Sequence, residues 1–145
     1  MKSLETSSAR AAVADQLSSF GCIERLLENL MKEDVDCEAK AYAATLLLYF
    51  GSKTGVDYLL EALRRGEGPI LHIAMWLGKA GIAEGAGVIE ELLKQWDLRS
   101  DPYGAATLID ALKRTNGNLP DGIRARVEAE AAEPYRTTLL KRWEV

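Results

Sequence analysis

The chain contains few cysteines and no apolar segment of membrane-spanning length. Its 145 residues include only two cysteines, Cys22 and Cys37, near the starts of two predicted helices. A helix about 18 Å long separates them, so we expect no disulfide, and unpaired thiols suit a reducing compartment. The longest mainly apolar run, residues 41–50, is about half of what a helix needs to cross a bilayer. Residues 1–19 hold no apolar run of signal-peptide length. We therefore expect a cytoplasmic protein without a membrane partner.

The chain also lacks an excess of positive charge. Eighteen lysine and arginine residues against 22 aspartate and glutamate residues give a net charge of −4. Neutralising phosphates normally requires a cationic surplus, so a nucleic-acid partner is not expected. His72 is the only histidine, which excludes a metal site of several histidines and a two-histidine mechanism within one chain. No nucleophile motif accompanies it, and we expect no metal, no cofactor and no catalysis.

Helical periodicity is the dominant pattern in the sequence. Apolar residues at i, i+3, i+4 and i+7 mark one face of a helix, and such series begin at Ile23 and at Val56. No segment alternates apolar and polar residues convincingly, so no strand is predicted. The expected fold class is all-α. Trp76, Trp96 and Tyr49 occur on apolar faces at helical spacing, so we expect them in the core or lining a groove rather than in a cofactor site.

The same helical patterns recur about every 33 residues. One set of equivalent apolar positions is separated by 33, 33 and 34 residues: Ile23, Val56, Ile89 and Ile123. Small residues in the preceding helices are separated by 30, 30 and 32 residues: Ala14, Ala44, Ala74 and Ala106. Each unit is therefore a pair of helices that buries its apolar side by stacking on its neighbours. We predict one domain, residues 1–145, built as an α-solenoid of about four helical hairpins with a C-terminal capping helix.

Prolines and glycines punctuate these predicted helices. The first helix of each pair is expected at about 8–20, 37–50, 69–80 and 102–115. The second helix of each pair is expected at about 22–33, 55–65, 85–96 and 120–132, with a terminal helix from about 134. All four prolines fall at predicted helix starts, and Gly51, Gly66 and Gly81 follow periodic runs where helices commonly end. Thr54 and Asp57 have the spacing of a capping box.

Two stretches of the chain resemble a known family of helical repeats. They are AYAATLLLYFGSKTGVDYLLEAL at residues 41–63 and LHIAMWLGKAG with VIEELL between residues 71 and 93. These units resemble HEAT-type repeats, in particular the Ala- and Gly-rich repeats of phycobilin lyases and related bacterial adaptors. The resemblance implies that the second helix of each pair lines the concave face of the stack.

The solvent sides of the second helices carry a stripe of acidic residues. Equivalent positions of stacked units lie in register, so Glu24, Asp57 and Glu90 form one column. The resemblance implies that this stripe faces a groove in which a basic surface of a partner docks. The alternative is that these acidic residues have no binding role and form solvated helix faces that keep the protein soluble. The residues predicted to bind the partner are Glu24, Glu28, Asp57, Tyr58, Glu61, Glu90 and Glu91.

These observations predict a non-catalytic protein-binding module, an adaptor whose acidic face binds a basic protein partner. A bacterial immunity or antitoxin protein that neutralises a basic toxin is one alternative. The resemblance also admits an enzyme, such as a chromophore lyase that binds its pigment in an apolar groove. A purely structural subunit is a further alternative, because the sequence does not indicate the oligomeric state.

Overall fold

The computed structural model describes residues 22–33, 36–116 and 118–144. All regular structure within these ranges is helical, which confirms the all-α prediction. The first helix, α1, covers residues 22–32. The others are α2 (Cys37–Tyr49), α3 (Val56–Arg65), α4 (Ile70–Lys79), α5 (Gly85–Gln95), α6 (Pro102–Asn116), α7 (Asp121–Glu130) and α8 (Tyr135–Leu140), and a 3₁₀ turn (Lys141–Trp143) follows α8.

The helices predicted for this part of the chain are all present. Their observed ends agree with the expected ends to within two residues, and the expected terminal helix is the short α8 with its 3₁₀ turn. The helix expected at about 8–20 lies outside the described residues. Among the helices described here, none combines the length and the apolar character needed to pass through a bilayer.

Local capping explains where several helices begin and end. The Asp101 carboxylate accepts the backbone N–H of Gly104 at 2.8 Å and so caps the start of α6. Helix α3 ends at Gly66, whose φ of 67° lies in the left-handed region that other residues rarely adopt. The predicted capping box at Thr54 is wrong, because α3 begins after Gly55 and no side chain caps it.

Helices of the same kind pack against each other along the chain. Helix α2 contacts α4, and α4 contacts α6, so the first helices of successive pairs are neighbours. Helix α3 contacts α5, so these second helices are neighbours as well. Helix α8 lies against α6 and α7. One cluster of buried apolar side chains runs through these contacts, and its members include Leu59, Leu63, Ile73, Leu77, Ile89, Leu93, Leu108 and Leu112.

Two glycines mark close approaches between helix backbones. A Cβ atom added to Gly78 of α4 would lie 2.9 Å from the Cα atom of Ala111 in α6 and 3.2 Å from its Cβ atom. A Cβ atom added to Gly55 would lie 2.5 Å from the Cβ atom of Ala44 in α2. Distances this short do not occur between real carbon atoms, so any side chain at either position pushes two helices apart.

Replacing Gly78 with alanine tests the contact between α4 and α6. The added methyl group meets backbone atoms of Ala111, and overpacking of this kind costs about 1–3 kcal/mol of the free energy of unfolding. Gly87 is the matched control, because it lies in α5 with no atom within 4 Å of its added Cβ. Gly87→Ala is expected to stabilise the chain by about 0.5–1 kcal/mol through helix propensity. Urea unfolding followed by circular dichroism measures both, and equal effects of the two changes contradict the close approach.

Candidate functional site

The predicted partner-binding residues lie on α1, α3 and α5. Because α3 and α5 pack against each other, the structure brings the residues of these two helices onto neighbouring elements. Asp57 and Glu91 are exposed, and the other members are partly buried. The set consists of Glu24 and Glu28 on α1, Asp57, Tyr58 and Glu61 on α3, and Glu90 and Glu91 on α5.

Part of this acidic surface is neutralised by ion pairs within single helices. The Glu61 carboxylate accepts from Arg65 Nε at 2.9 Å and lies 3.5 Å from an Arg64 nitrogen. The Glu91 carboxylate accepts from Lys94 Nζ at 3.0 Å, and this hydrogen bond raises the pKa of Lys94. These side chains remain largely open to solvent, so each pair adds little to the stability of its helix.

The rest of the acidic surface is not compensated. Among the residues that the structure describes, Asp57 of α3 and Glu90 of α5 form no ion pair within 4 Å. Glu24 and Glu28 of α1 also have no cationic partner there. The uncompensated negative charge of the stripe therefore comes from these four carboxylates.

Tyr58 has a structural role within the chain. Its hydroxyl donates to the carbonyl oxygen of Cys37 at 3.0 Å, which ties α3 to the start of α2. Burial raises the pKa of Tyr58, and Cys37, Glu67 and Asp36 raise it further by charge repulsion. The hydroxyl group of Tyr58 is therefore already engaged within the chain.

An open groove of about 500 Å³ lies between α3 and α5. Val88 and Leu92 supply partly buried apolar surface, whereas Arg64, Glu84 and Glu91 are exposed charges. Of the residues predicted to bind the partner, Glu91 alone lines this groove. Glu84 was not predicted, because it lies in the turn before α5 and so outside the equivalent positions of the second helices. The full lining is Leu63, Arg64, Glu84, Gly87, Val88, Glu91, Leu92 and Gln95.

A group of large side chains lies on the outer sides of α2 and α4, those of α2 exposed and those of α4 partly buried. We call Tyr42, Leu46, Tyr49, His72 and Trp76 the aromatic patch. Tyr42 lies 5.0 Å from His72 and Tyr49 lies 5.6 Å from Trp76, measured between ring centroids. Tyr42, Leu46 and Tyr49 are 43%, 46% and 63% exposed. Tyr49 was expected in the core or in a groove and instead projects from the surface.

His72 makes one polar contact within this patch. The Thr45 hydroxyl donates to the carbonyl of Tyr42 at 2.9 Å, which leaves its oxygen to accept from His72 Nε2 at 3.3 Å. A neutral imidazole with its proton on Nε2 satisfies this arrangement. Burial lowers the pKa of His72, and the nearby positive charge of Lys79 lowers it further.

A second depression, of about 510 Å³, lies between the ends of α5 and α7. Arg126 of α7 lines it and donates to the carbonyl of Trp96 at 2.8 Å and to the carbonyl of Leu93. Its Nε also donates to Glu130 at 2.8 Å. Carbonyls at the end of a helix lack partners within that helix, so Arg126 caps α5 from the following hairpin. Every nitrogen of its guanidinium is engaged, and Arg126 is therefore a structural link.

Arg126→Met is expected to lower the free energy of unfolding by about 1–3 kcal/mol, because the Trp96 carbonyl loses its donor and the Leu93 carbonyl keeps only the backbone N–H of Trp96. The matched control is Arg124→Met on the same helix. Arg124 pairs only with the exposed Glu128, at 3.4 Å, and its loss is expected to cost less than about 0.5 kcal/mol. Urea unfolding of both variants provides the comparison, and a control that is destabilised as strongly contradicts the capping role.

His72 is expected to make stability depend on pH. Its folded pKa is lowered, so the stability of the neutral imidazole is fully present above the unfolded value of about 6.5 and is lost as pH falls through the folded value. Between about pH 8 and about pH 5 the free energy of unfolding should therefore fall more for the natural chain than for His72→Asn. Chemical unfolding across this range measures the difference. Parallel pH profiles for the two proteins rule out the proposed shift.

The described ranges contain no group of three histidine, cysteine, aspartate or glutamate residues placed to hold a metal ion. The acidic residues of α3 and α5, the groove between them and the aromatic patch are thus the surface features from which a function can be argued. In comparisons with known proteins, the chain matches no model of a protein family, no curated protein and no solved structure.

Proposed function

We propose that the chain is a HEAT-type helical repeat protein, an α-solenoid of about four hairpins with a C-terminal capping helix. The succession of contacts from α2 to α4 to α6, and from α3 to α5, is what stacked hairpins produce. Gly78 meets Ala111, 33 residues later on the next first helix, which supports the same register. Arg126 reaches back 33 residues to Leu93, again between successive units.

We further propose that this stack is a non-catalytic protein-binding module, an adaptor for a partner with a basic surface. The observation that carries the proposal is the open groove between α3 and α5, whose lining combines apolar surface with the carboxylates of Glu84 and Glu91. Asp57 and Glu90 on these helices have no ion pair among the described residues, so their charge is available to a partner.

The apolar surface and the acidic surface contribute to binding in different ways. Val88 and Leu92 provide the apolar contact from which most of the binding free energy comes. Asp57 and Glu90 attract lysine or arginine side chains and speed the encounter, which gives specificity more than raw affinity. The exposed pair of Glu91 with Lys94 costs less than about 1 kcal/mol to exchange, so a cation of the partner can replace Lys94.

Charge reversal on the second helices tests this function. The immobilised chain captures proteins from its native cells, and the captured protein is purified and titrated against Asp57→Lys/Glu90→Lys. We expect the dissociation constant to rise at least about tenfold, because two attractive contacts become repulsive. Binding to the natural chain should also weaken as salt is raised.

Asp121→Lys/Glu144→Lys is the control, since both residues are exposed acids that lie outside the predicted site and away from α2 and α4. It reverses charge in the same way and should leave the dissociation constant unchanged. Binding that survives the double reversal, or that falls equally in the control, contradicts the proposed site.

A further inference from the structure

The aromatic patch lies on the first helices, apart from the groove and from the acidic residues of the second helices. Tyr42, Leu46 and Tyr49 occupy one stripe of α2 at spacings of four and three residues. His72 and Trp76 stand beside them on α4, and the rings meet at tilted or edge-on angles. The contacts of Tyr42 with His72 and of Tyr49 with Trp76 follow the same order along both helices, so α2 and α4 run parallel here.

The composition of the patch is that of a protein–protein contact. Tyrosine and tryptophan are the residues most enriched among those that dominate binding free energy, because they bury a large area and lose little entropy. Tyr42, Leu46 and Tyr49 remain 43%, 46% and 63% exposed although the other residues of α2 between positions 41 and 48 are buried. Exposed apolar side chains gathered in this way typically mark an interaction surface.

The patch has opposite charges at its two ends. Glu38 lies one turn before Tyr42 on the same stripe of α2, at the start of the helix. Lys79 is the last residue of α4, and its Nζ lies 5.0 Å from the centroid of the Trp76 ring. Along the helices the two ends are about 16 Å apart. Within the described part of the chain neither Glu38 nor Lys79 forms an ion pair.

We propose that two copies of the chain associate through the aromatic patch about a two-fold axis, with Glu38 of each copy against Lys79 of the other. The two-fold axis lies in the interface, passes through the middle of the patch and is perpendicular to the line from Glu38 to Lys79. It therefore brings each end of the patch onto the opposite end of the second copy. A surface that is negative at one end and positive at the other is complementary to itself in this orientation. The patch therefore fits a second copy in both its apolar centre and its charges.

The proposed contact does not depend on the function of the second helices. The acidic residues of α3 and α5 remain free in the dimer, so a partner can bind each copy. The area offered by five side chains and two charged ends lies at the small end of specific interfaces, and we expect a dimer in exchange with monomers.

Charge exchange between Glu38 and Lys79 tests the pairing directly. Sedimentation velocity of the natural chain up to about 1 mM should show a monomer–dimer equilibrium. Glu38→Lys places two lysines together at both ends of the interface, and Lys79→Glu places two glutamates together. Each variant alone should raise the dimer dissociation constant at least about tenfold.

An equal mixture of the two variants should restore the dimer, because each lysine at position 38 then faces a glutamate at position 79, and the natural Glu38 faces the natural Lys79. The contact of Lys79 with Trp76 is absent from Lys79→Glu with or without its partner, so recovery on mixing reports pairing between copies. Both substituted residues are exposed, and circular dichroism establishes that each variant is folded.

Removal of an aromatic side chain provides an independent test of the dimer interface. Tyr49→Ser should weaken the dimer, whereas Tyr103→Ser should not, although Tyr103 is more exposed at 71% and also contacts another ring, that of Tyr135. Asp57→Lys/Glu90→Lys should dimerise normally, which separates this proposal from the partner-binding function. A natural chain that stays monomeric up to about 1 mM, single variants that dimerise normally, or a mixture without recovery each overturn the proposal.

Discussion

Gly78 in α4 and Ala111 in α6 allow two helix backbones to approach more closely than larger residues permit. The neighbouring side chains, Ile73, Leu77 and Leu108, are fully buried around this contact. The second helices α3 and α5 pack less extensively, and the groove lies between them. The close contact between α4 and α6 thus rests on these small residues, whereas α2 and α4, like α3 and α5, pack less closely.

The first and the second helices expose different kinds of side chain. The second helices expose carboxylates, some compensated within the helix and some not, beside a groove with apolar walls. On α2 and α4 the aromatic patch exposes rings and Leu46, with Glu38 at one end and Lys79 at the other. Because the charged face depends on salt and the aromatic face depends on apolar burial, contacts on the two faces respond differently to the same change of solvent.

Helix positions could be predicted from the sequence because periodicity and terminal glycines are local signals, as Gly66 after α3 and Gly81 after α4 illustrate. The surface was harder to predict. Helix α2 is apolar on nearly every side, and such a helix is normally buried all round. The stripe of Tyr42, Leu46 and Tyr49 therefore had no sequence signal that separated it from the core. The ion pair of Glu61 with Arg65 follows from their i, i+4 spacing on α3. The hydrogen bonds of Arg126 to the preceding helix depend on how the helices pack, which spacing alone does not specify.

Arg126 belongs to the last hairpin, yet the carbonyls of Leu93 and Trp96 that it holds belong to the hairpin before it. In a linear array of repeats, such a bond contributes to the coupling between neighbours and not to the stability of either unit. Neither α7 nor the end of α5 can open alone without leaving polar groups unsatisfied. Local opening of α7 therefore breaks the hydrogen bonds that Arg126 donates to the end of α5, so the two elements are coupled in hydrogen exchange.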